Sequence, residues 1–178
     1  MKHTRNLVLS ALFLSLGLVL PFLTGQIPEI GSMLLPMHIP VLLCGFICGW
    51  PYGLFIGLIT PLLRSLLFTM PPMFPKAVSM AVELAGYGFF SGLFFRLLPL
   101  KNTLRIYISL IGSMLLGRIL YGLVCIPLLG MAGAPYSFEI FLTSTLLDAV
   151  PGILLQLLLI PVILLALQKA KLLERDYT

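Results

Sequence analysis

Five ionisable side chains lie inside long apolar stretches of this sequence, and they are its clearest candidates for chemistry. They are His38, Arg64, Glu83, Arg118 and Asp148. Charged groups within a lipid bilayer are costly, and those that occur usually face a protein interior or a water-filled cavity. Arginine binds carboxylates bidentately, while histidine and the acidic residues can exchange protons. These residue types therefore favour recognition of a small polar solute, or acid–base chemistry.

Residues 59–83 contain two of these groups on either side of a turn with three prolines. Arg64 lies in the apolar run before the turn, and Glu83 lies in the apolar run after it. A purely structural interpretation is that Arg64 pairs with Glu83 and Arg118 with Asp148, which would fix helix packing. That interpretation is compatible with solute binding, because a paired carboxylate can also orient an arginine toward a ligand.

The composition indicates that these residues belong to a membrane protein. Of 178 residues, 60% are hydrophobic and 10% are charged, whereas soluble domains carry about 25% charged residues. The net charge of +5 comes from Lys and Arg at segment ends. No basic cluster is interleaved with aromatic residues, so nucleic acid is not an expected partner and the lipid bilayer is.

Six apolar segments approach the length of about 20 residues that a membrane-spanning helix needs. They are residues 7–23, 35–49, 52–69, 76–95, 104–128 and 138–167. The first segment exceeds the hydrophobic core of a signal peptide, and no A-x-A-type cleavage site follows it. We therefore predict an all-α integral membrane protein with one domain, residues 1–178, and six transmembrane helices.

The distribution of basic residues predicts the orientation. If the N-terminus is cytoplasmic, eight Lys and Arg residues fall inside and only Lys76 falls outside, which satisfies the positive-inside rule with both termini in the cytoplasm. At 1.5 Å per residue, Arg64 and Arg118 then lie about 18 and 21 Å above the inner ends of their helices.

The same topology gives a depth to the other candidates. Glu83 lies about 10 Å and Asp148 about 15 Å below the outer ends of their helices, and His38 opens the second helix from the outer side. Tyr121 follows Arg118 by three residues, on nearly the same helical face. This common depth predicts a polar cavity that is open to the outside.

Two further features lie outside that cavity. Ala11 and Ser15 form a small-xxx-small pair in the first helix, which permits close approach of another helix, either within the chain or in a partner subunit. Gln156, deeper in the sixth helix, is interpreted as a helix–helix hydrogen-bonding residue.

The motifs of common enzymes are missing from the sequence. It contains no H-E-x-x-H, no G-x-S-x-G and no Walker-type phosphate loop. Three cysteines, Cys44, Cys48 and Cys125, lie in apolar runs and are interpreted as small buried hydrophobes. We therefore expect a protein that is not an enzyme and that holds neither a metal nor a cofactor.

Three stretches resemble a known family: LPMHIPVLLCGFICGWPYG at 35–53, PLLRSLLFTMPPMFP at 61–75 and MAVELAGYGFFSGLF at 80–94. They are similar to the substrate-binding S component of energy-coupling factor (ECF) transporters, which are bacterial vitamin importers. The resemblance implies capture of a vitamin at the outer face of the cell membrane. It also implies partnership with a membrane coupling (T) component and two cytoplasmic ATPase subunits.

The resemblance further assigns parts of the chain to these tasks. The family's Ala-x3-Ala-type motif for the T component falls on Ala11 and Ser15, where serine replaces the second alanine. The family's loops over the substrate site correspond to residues 24–34 and 70–75. His38, Arg64, Glu83, Arg118, Tyr121 and Asp148 are the expected substrate-binding residues.

The substrate is constrained mainly by charge. Two arginines at outer depth favour a carboxylate or another anion, and among the family's vitamins pantothenate and nicotinate fit, with pantothenate preferred. If Glu83 and Asp148 neutralise both arginines, a neutral vitamin such as riboflavin, a pyridoxine-like compound or a pyrimidine fits equally well. A stand-alone secondary transporter and a structural membrane protein are the competing classes.

Overall fold

A computed structural model describes residues 2–24, 33–131 and 149–170, and all the regular structure in these residues is helical. The α-helices of the described residues are, in chain order, α1 Lys2–Val19, α2 His38–Cys48, α3 Trp50–Phe68, α4 Val78–Leu97, α5 Asn102–Met131 and α6 Val150–Lys169. A 3-10 turn, Leu20–Thr24, continues α1. A π-helical turn, Met73–Ala77, leads into α4.

The helix lengths confirm part of the predicted topology. Within the described residues, five helices are long and apolar enough to cross a membrane. The exception is α2, whose 11 residues span about 17 Å, well short of the roughly 30 Å hydrocarbon core of a bilayer. An all-helical membrane protein is thus confirmed, whereas a sixth complete span is not. In the last predicted segment, residues 138–148 lie outside the described part.

Consecutive helices run in opposite directions. The Asn6 side chain near the start of α1 donates to the Cys48 carbonyl at the end of α2, at 3.3 Å. Asn102 at the start of α5 exchanges amide hydrogen bonds with Gln168 at the end of α6. The start of α1 and the end of α6 therefore lie at one end of the bundle, called here the base. The opposite end, where α2, α4 and α6 begin, is called the top.

The short helix α2 lies in the centre of the bundle. Ten of its 11 residues are buried, because α1, α3, α4 and α6 all pack around it. Every face of α2 is apolar apart from its first residue, His38. A helix that is hydrophobic all round is stable only when surrounded by other elements, and this placement brings His38 into the interior near the top.

The contact between α3 and α4 is made by glycine. A Cβ atom added at Gly88 would overlap the backbone of Gly53, and one added at Gly57 would overlap the backbone carbonyl of Leu84. Small residues allow helix backbones to touch in membranes, where dispersion contacts take over the role of the hydrophobic effect. These two contacts fix the axial register of α4 against α3, and with it the depth of the polar residues on both helices.

The glycine contact yields a test of the packing. Gly88→Ala places a methyl group against the Gly53 backbone, and we expect it to destabilise the protein by about 1–3 kcal/mol, the usual range for overpacking. The measurement is thermal unfolding of the purified protein in detergent. Gly130→Ala is the matched control, because nothing lies within 4 Å of its added Cβ. Equal melting temperatures for the two variants would contradict the backbone contact.

Candidate functional site

Three ionisable side chains from three helices meet in the interior near the top of the bundle. His38 begins α2, Glu83 lies in the second turn of α4, and Arg118 comes from α5. Nη1 of Arg118 lies 3.2 Å from Oε1 of Glu83, and Nε2 of His38 lies 3.7 Å from the same oxygen. The side chains of His38, Glu83 and Arg118 are 1%, 3% and 13% exposed. The carboxylate of Glu83 is therefore the centre of the group.

Tyr87 completes this group, and sequence reasoning missed it. Its side chain is fully buried, and its ring centroid lies 5.1 Å from that of His38. The ring also lies over Gly117 of α5, where any Cβ would overlap it. Its spacing of four residues from Glu83 places both side chains on one face of α4, and that spacing is the signal that could have identified it. His38, Glu83, Tyr87 and Arg118 are called the polar cluster below.

The polar cluster contains hydrogen-bonding atoms that have no partner within the part of the chain that the structure describes. The atoms without a hydrogen bond are both ring nitrogens of His38, the hydroxyl of Tyr87, Nε and Nη2 of Arg118, and Oε1 of Glu83, whose contact with Arg118 is an ion pair. A buried polar atom without a partner costs about 1–3 kcal/mol, and native proteins carry few of them. Several such atoms at one place make the polar cluster the candidate site among the described residues.

The guanidinium of Arg118 has two differently used sides. Nη1 is turned toward Glu83, whereas Nε and Nη2 are both unpartnered among the described residues. Guanidinium donors have a fixed fork geometry, and two parallel N–H donors match the two oxygens of a carboxylate or a similar planar group. Arg118 can therefore pair with Glu83 and, at the same time, donate hydrogen bonds to a second anion or to a carbonyl group.

The observed ion pair differs from the pairing considered from sequence. Glu83 contacts Arg118, not Arg64. The glycine contacts place Gly57 opposite Leu84, so Arg64, seven residues further along α3, lies opposite Ala77, the residue that precedes the antiparallel α4. That is six residues from Glu83, about 9 Å along the helix axis. The depths estimated from sequence were too coarse to distinguish these two levels.

Arg64 is engaged at the upper end of α1 instead. It is buried, and its Nη1 donates to the carbonyl of Leu18 at 2.5 Å. The guanidinium lies over the ring of Phe22 at 5.0 Å and the ring of Phe68 at 5.4 Å. The last carbonyls of a helix lack intrahelical partners, and a desolvated cation over an aromatic face is attracted to it. Arg64 thus fastens the end of α1 to α3.

Of the two remaining predicted substrate-binding residues, Tyr121 lies in the same region and Asp148 lies outside the described residues. Tyr121 is half-buried on α5, three residues after Arg118 and on nearly the same face, as expected. Asp148 lies outside the described residues, so the predicted pair between Arg118 and Asp148 stays a prediction.

The two small residues of α1 lie on its outward face. Ala11 and Ser15 are exposed, while the buried face of the helix consists of Ser10, Phe13 and Gly17. The Ser15 hydroxyl donates to the carbonyl of Ala11 at 3.0 Å, so its polarity is satisfied within the helix. The small pair is therefore not used for packing against the described part of this chain.

The three cysteines are buried and form no disulfide. Cys44 lies 3.7 Å from the hydroxyl of Ser10, and Cys48 and Cys125 are also free thiols inside the bundle. Within the described ranges, no three His, Cys, Asp or Glu side chains lie close enough together to hold a metal ion.

Comparison with known proteins supplies the family. A family model described as "ECF transporter, substrate-specific component" matches residues 5–167. Comparison with curated proteins gave no significant match, and comparison with solved structures gave none either. The match covers most of the chain and confirms the resemblance seen in the sequence. Members of this family are substrate-binding subunits of transporters and are not enzymes. This chain belongs to the family of substrate-specific components of ECF transporters.

Proposed function

We propose that this chain captures a small vitamin with a carboxylate group, of the pantothenate type, and that the polar cluster is its binding site. The observation that carries the proposal is the buried Nε/Nη2 edge of Arg118, which has no partner among the described residues. A carboxylate placed there would form a bidentate, charge-assisted pair. The importer to which the chain belongs would use ATP hydrolysed by its partner subunits.

Glu83 has a distinct role in this proposal. A lone arginine in a bilayer is costly, and Glu83 at 3.2 Å offsets that cost while the site is empty. Because Glu83 occupies only the Nη1 side, it orients the guanidinium and leaves the other edge for the substrate. His38 approaches the same carboxylate oxygen from α2, with its Nε2 3.7 Å away.

Three other residues complete the proposed assignment. Tyr121, half-buried on the same face of α5 as Arg118, is proposed as a substrate contact, and so is Asp148. Arg64 was expected in the same pocket, but its contacts with Leu18, Phe22 and Phe68 support a structural role at the end of α1. We assign it as a positioning residue that holds the end of α1.

A neutral vitamin is the second candidate. The ion pair between Glu83 and Arg118 already neutralises the cluster, so an uncharged molecule would enter without an uncompensated charge. Riboflavin, a pyridoxine-like compound or a pyrimidine would then bind through its carbonyl, hydroxyl or ring-nitrogen groups. A secondary transporter that works alone is distinguished by uptake without ATP.

The exposed face of α1 is proposed as the docking surface for the T component. Ala11 and Ser15 are exposed one turn apart there, beside the exposed side chains of Leu12 and Leu16, and small residues permit close helix contact in lipid. Two ATPase subunits would complete the transporter on the cytoplasmic side. This arrangement agrees with a multi-pass protein of the bacterial plasma membrane whose termini face the cytoplasm.

The substrate assignment is tested by a pair of compounds that differ at one group. Panthenol is pantothenate with a primary alcohol in place of the carboxylate. We expect purified protein to bind pantothenate at least about 10-fold more tightly, since one lost charge-assisted contact is worth about 1.5–3 kcal/mol. Isothermal titration in detergent measures both. Equal affinities, or binding of riboflavin but not pantothenate, would favour the neutral alternative.

The role of each arginine is tested by substitution in the same assay. Arg118→Met should abolish pantothenate binding, and the double variant Glu83→Gln/Arg118→Met should do so without leaving a buried, unpaired carboxylate. Arg64→Met is the comparison, and its folded fraction should bind within about threefold of the wild type because Arg64 lies outside the cluster. Normal binding by both Arg118 variants would rule out the polar cluster as the site.

The docking surface predicts that binding and transport are separable. Ala11→Trp should block ATP-driven uptake into proteoliposomes that contain the T component and the ATPases, because the bulky ring prevents close helix contact. Pantothenate binding by the isolated variant should be unchanged. Leu154→Trp is the control, since Leu154 is 61% exposed on the distant helix α6. Equal loss of uptake in both variants would contradict a docking role for this face of α1.

A further inference from the structure

Gln156 is a fully buried amide that none of the assignments above uses. It lies on α6 with no exposed surface, and neither its Oε1 nor its Nε2 has a hydrogen-bond partner within the described residues. From sequence it was interpreted as a helix–helix hydrogen-bonding residue. The described parts of the neighbouring helices α2 and α5 offer no such bond. An amide with both ends unsatisfied is an unstable arrangement unless something else occupies the space beside it.

The packing of α6 places Gln156 near the top of the bundle. A Cβ added at Gly152 would lie 2.5 Å from the carbonyl oxygen of Met33 and 3.0 Å from that of Leu34. Gly152 therefore lies against the segment that leads into α2, and Gln156 follows it one helical turn closer to the base. Ile160, the next residue on the same face of α6, is also fully buried.

The register between α5 and α6 gives an independent estimate of this depth. Asn102 lies beside Gln168, so in antiparallel helices Gln156 lies opposite Met114, four residues or about 6 Å from Arg118 along the axis. Helical side chains lean toward the N-terminus of their own helix. The Arg118 side chain consequently leans toward the base and the Gln156 side chain toward the top, so the two converge.

We propose that Gln156 is a further substrate contact that determines specificity within the polar cluster. This inference rests on the proposed function, because it assigns a second anchor to the same molecule. Arg118 would hold the carboxylate, and the amide of Gln156, which offers both donors and an acceptor, would bind an amide or hydroxyl group elsewhere on it. The substrate class is then a compact carboxylate with a second polar group, and a simple fatty acid or an aromatic monocarboxylate is excluded from tight binding.

The chemistry of the site explains why this residue would discriminate. A site built to hydrogen-bond a polar group rejects analogues that lack it, because its own buried groups are then left unpaired. In the ligand-free chain, both polar atoms of the Gln156 amide are already without a hydrogen-bond partner among the described residues. Substrate binding would satisfy both of its atoms at once, so its contribution would appear in affinity and not in the stability of the empty protein.

The test compares Gln156→Leu with the wild type in two measurements, pantothenate affinity and melting temperature without ligand. Leucine is similar in size and has no polar atoms. We expect affinity to fall at least about 10-fold, while the melting temperature stays the same or rises, because replacing an unsatisfied polar group by an apolar one is neutral or stabilising. Gln168→Leu is the control; it removes an exposed amide at the base and should leave affinity unchanged.

Two results would overturn the inference. One is unchanged pantothenate affinity in Gln156→Leu. The other is a fall in the melting temperature of the empty variant by more than about 5 °C, which corresponds to the loss of a structural bond in a protein of this size. If the wild type itself does not bind pantothenate, the proposed substrate fails separately, and a fall in the melting temperature of Gln156→Leu would still overturn the inference.

Discussion

The ion pair between Glu83 and Arg118 is the interaction on which the rest of the structure depends. In a membrane interior, a charge is tolerated only beside its counter-charge or in a polar cavity, and these two side chains come from different helices at 3.2 Å. Their contact requires α4 and α5 to hold a fixed register. His38 contacts the same carboxylate from α2, the short buried helix at the centre of the bundle. The pair is left incomplete, because Arg118 keeps two donors without described partners.

The helices that carry the pair are positioned by their smallest residues. Gly57 and Gly88 bring α3 and α4 into backbone contact, and Gly117 makes room for the ring of Tyr87. These contacts are rigid, since a single methyl group at any of them would collide with a neighbour. By contrast, Ala11 and Ser15 on the outward face of α1 are exposed and are not packed against the described part of the chain. A rigid interior with small residues left free on an outer helix suits a subunit that must hold a small molecule and also meet a larger partner.

Much of this organisation could be predicted from the sequence. The apolar segments predicted from hydropathy overlap the first five helices, and the intramembrane charges predicted a common depth for five ionisable residues, of which His38, Glu83 and Arg118 meet in the structure. The pairing partner of Glu83 could not be predicted, because depth along the axis does not say which helices are adjacent or how their registers are offset. Arg64 was grouped with the cluster for this reason. Tyr87 was overlooked because a tyrosine in an apolar helix carries no charge, although its spacing of four residues from Glu83 could have identified it.

The central claim is that the polar cluster holds one small molecule through Arg118. It is tested most directly by mass spectrometry of the small molecules released when purified protein is denatured. The account predicts that wild-type protein releases one compound with a carboxylate group, in nearly equimolar amount, and that the Glu83→Gln/Arg118→Met double variant releases none. Recovery of the same compound in the same amount from both proteins would contradict the account, because the molecule would then be held somewhere else.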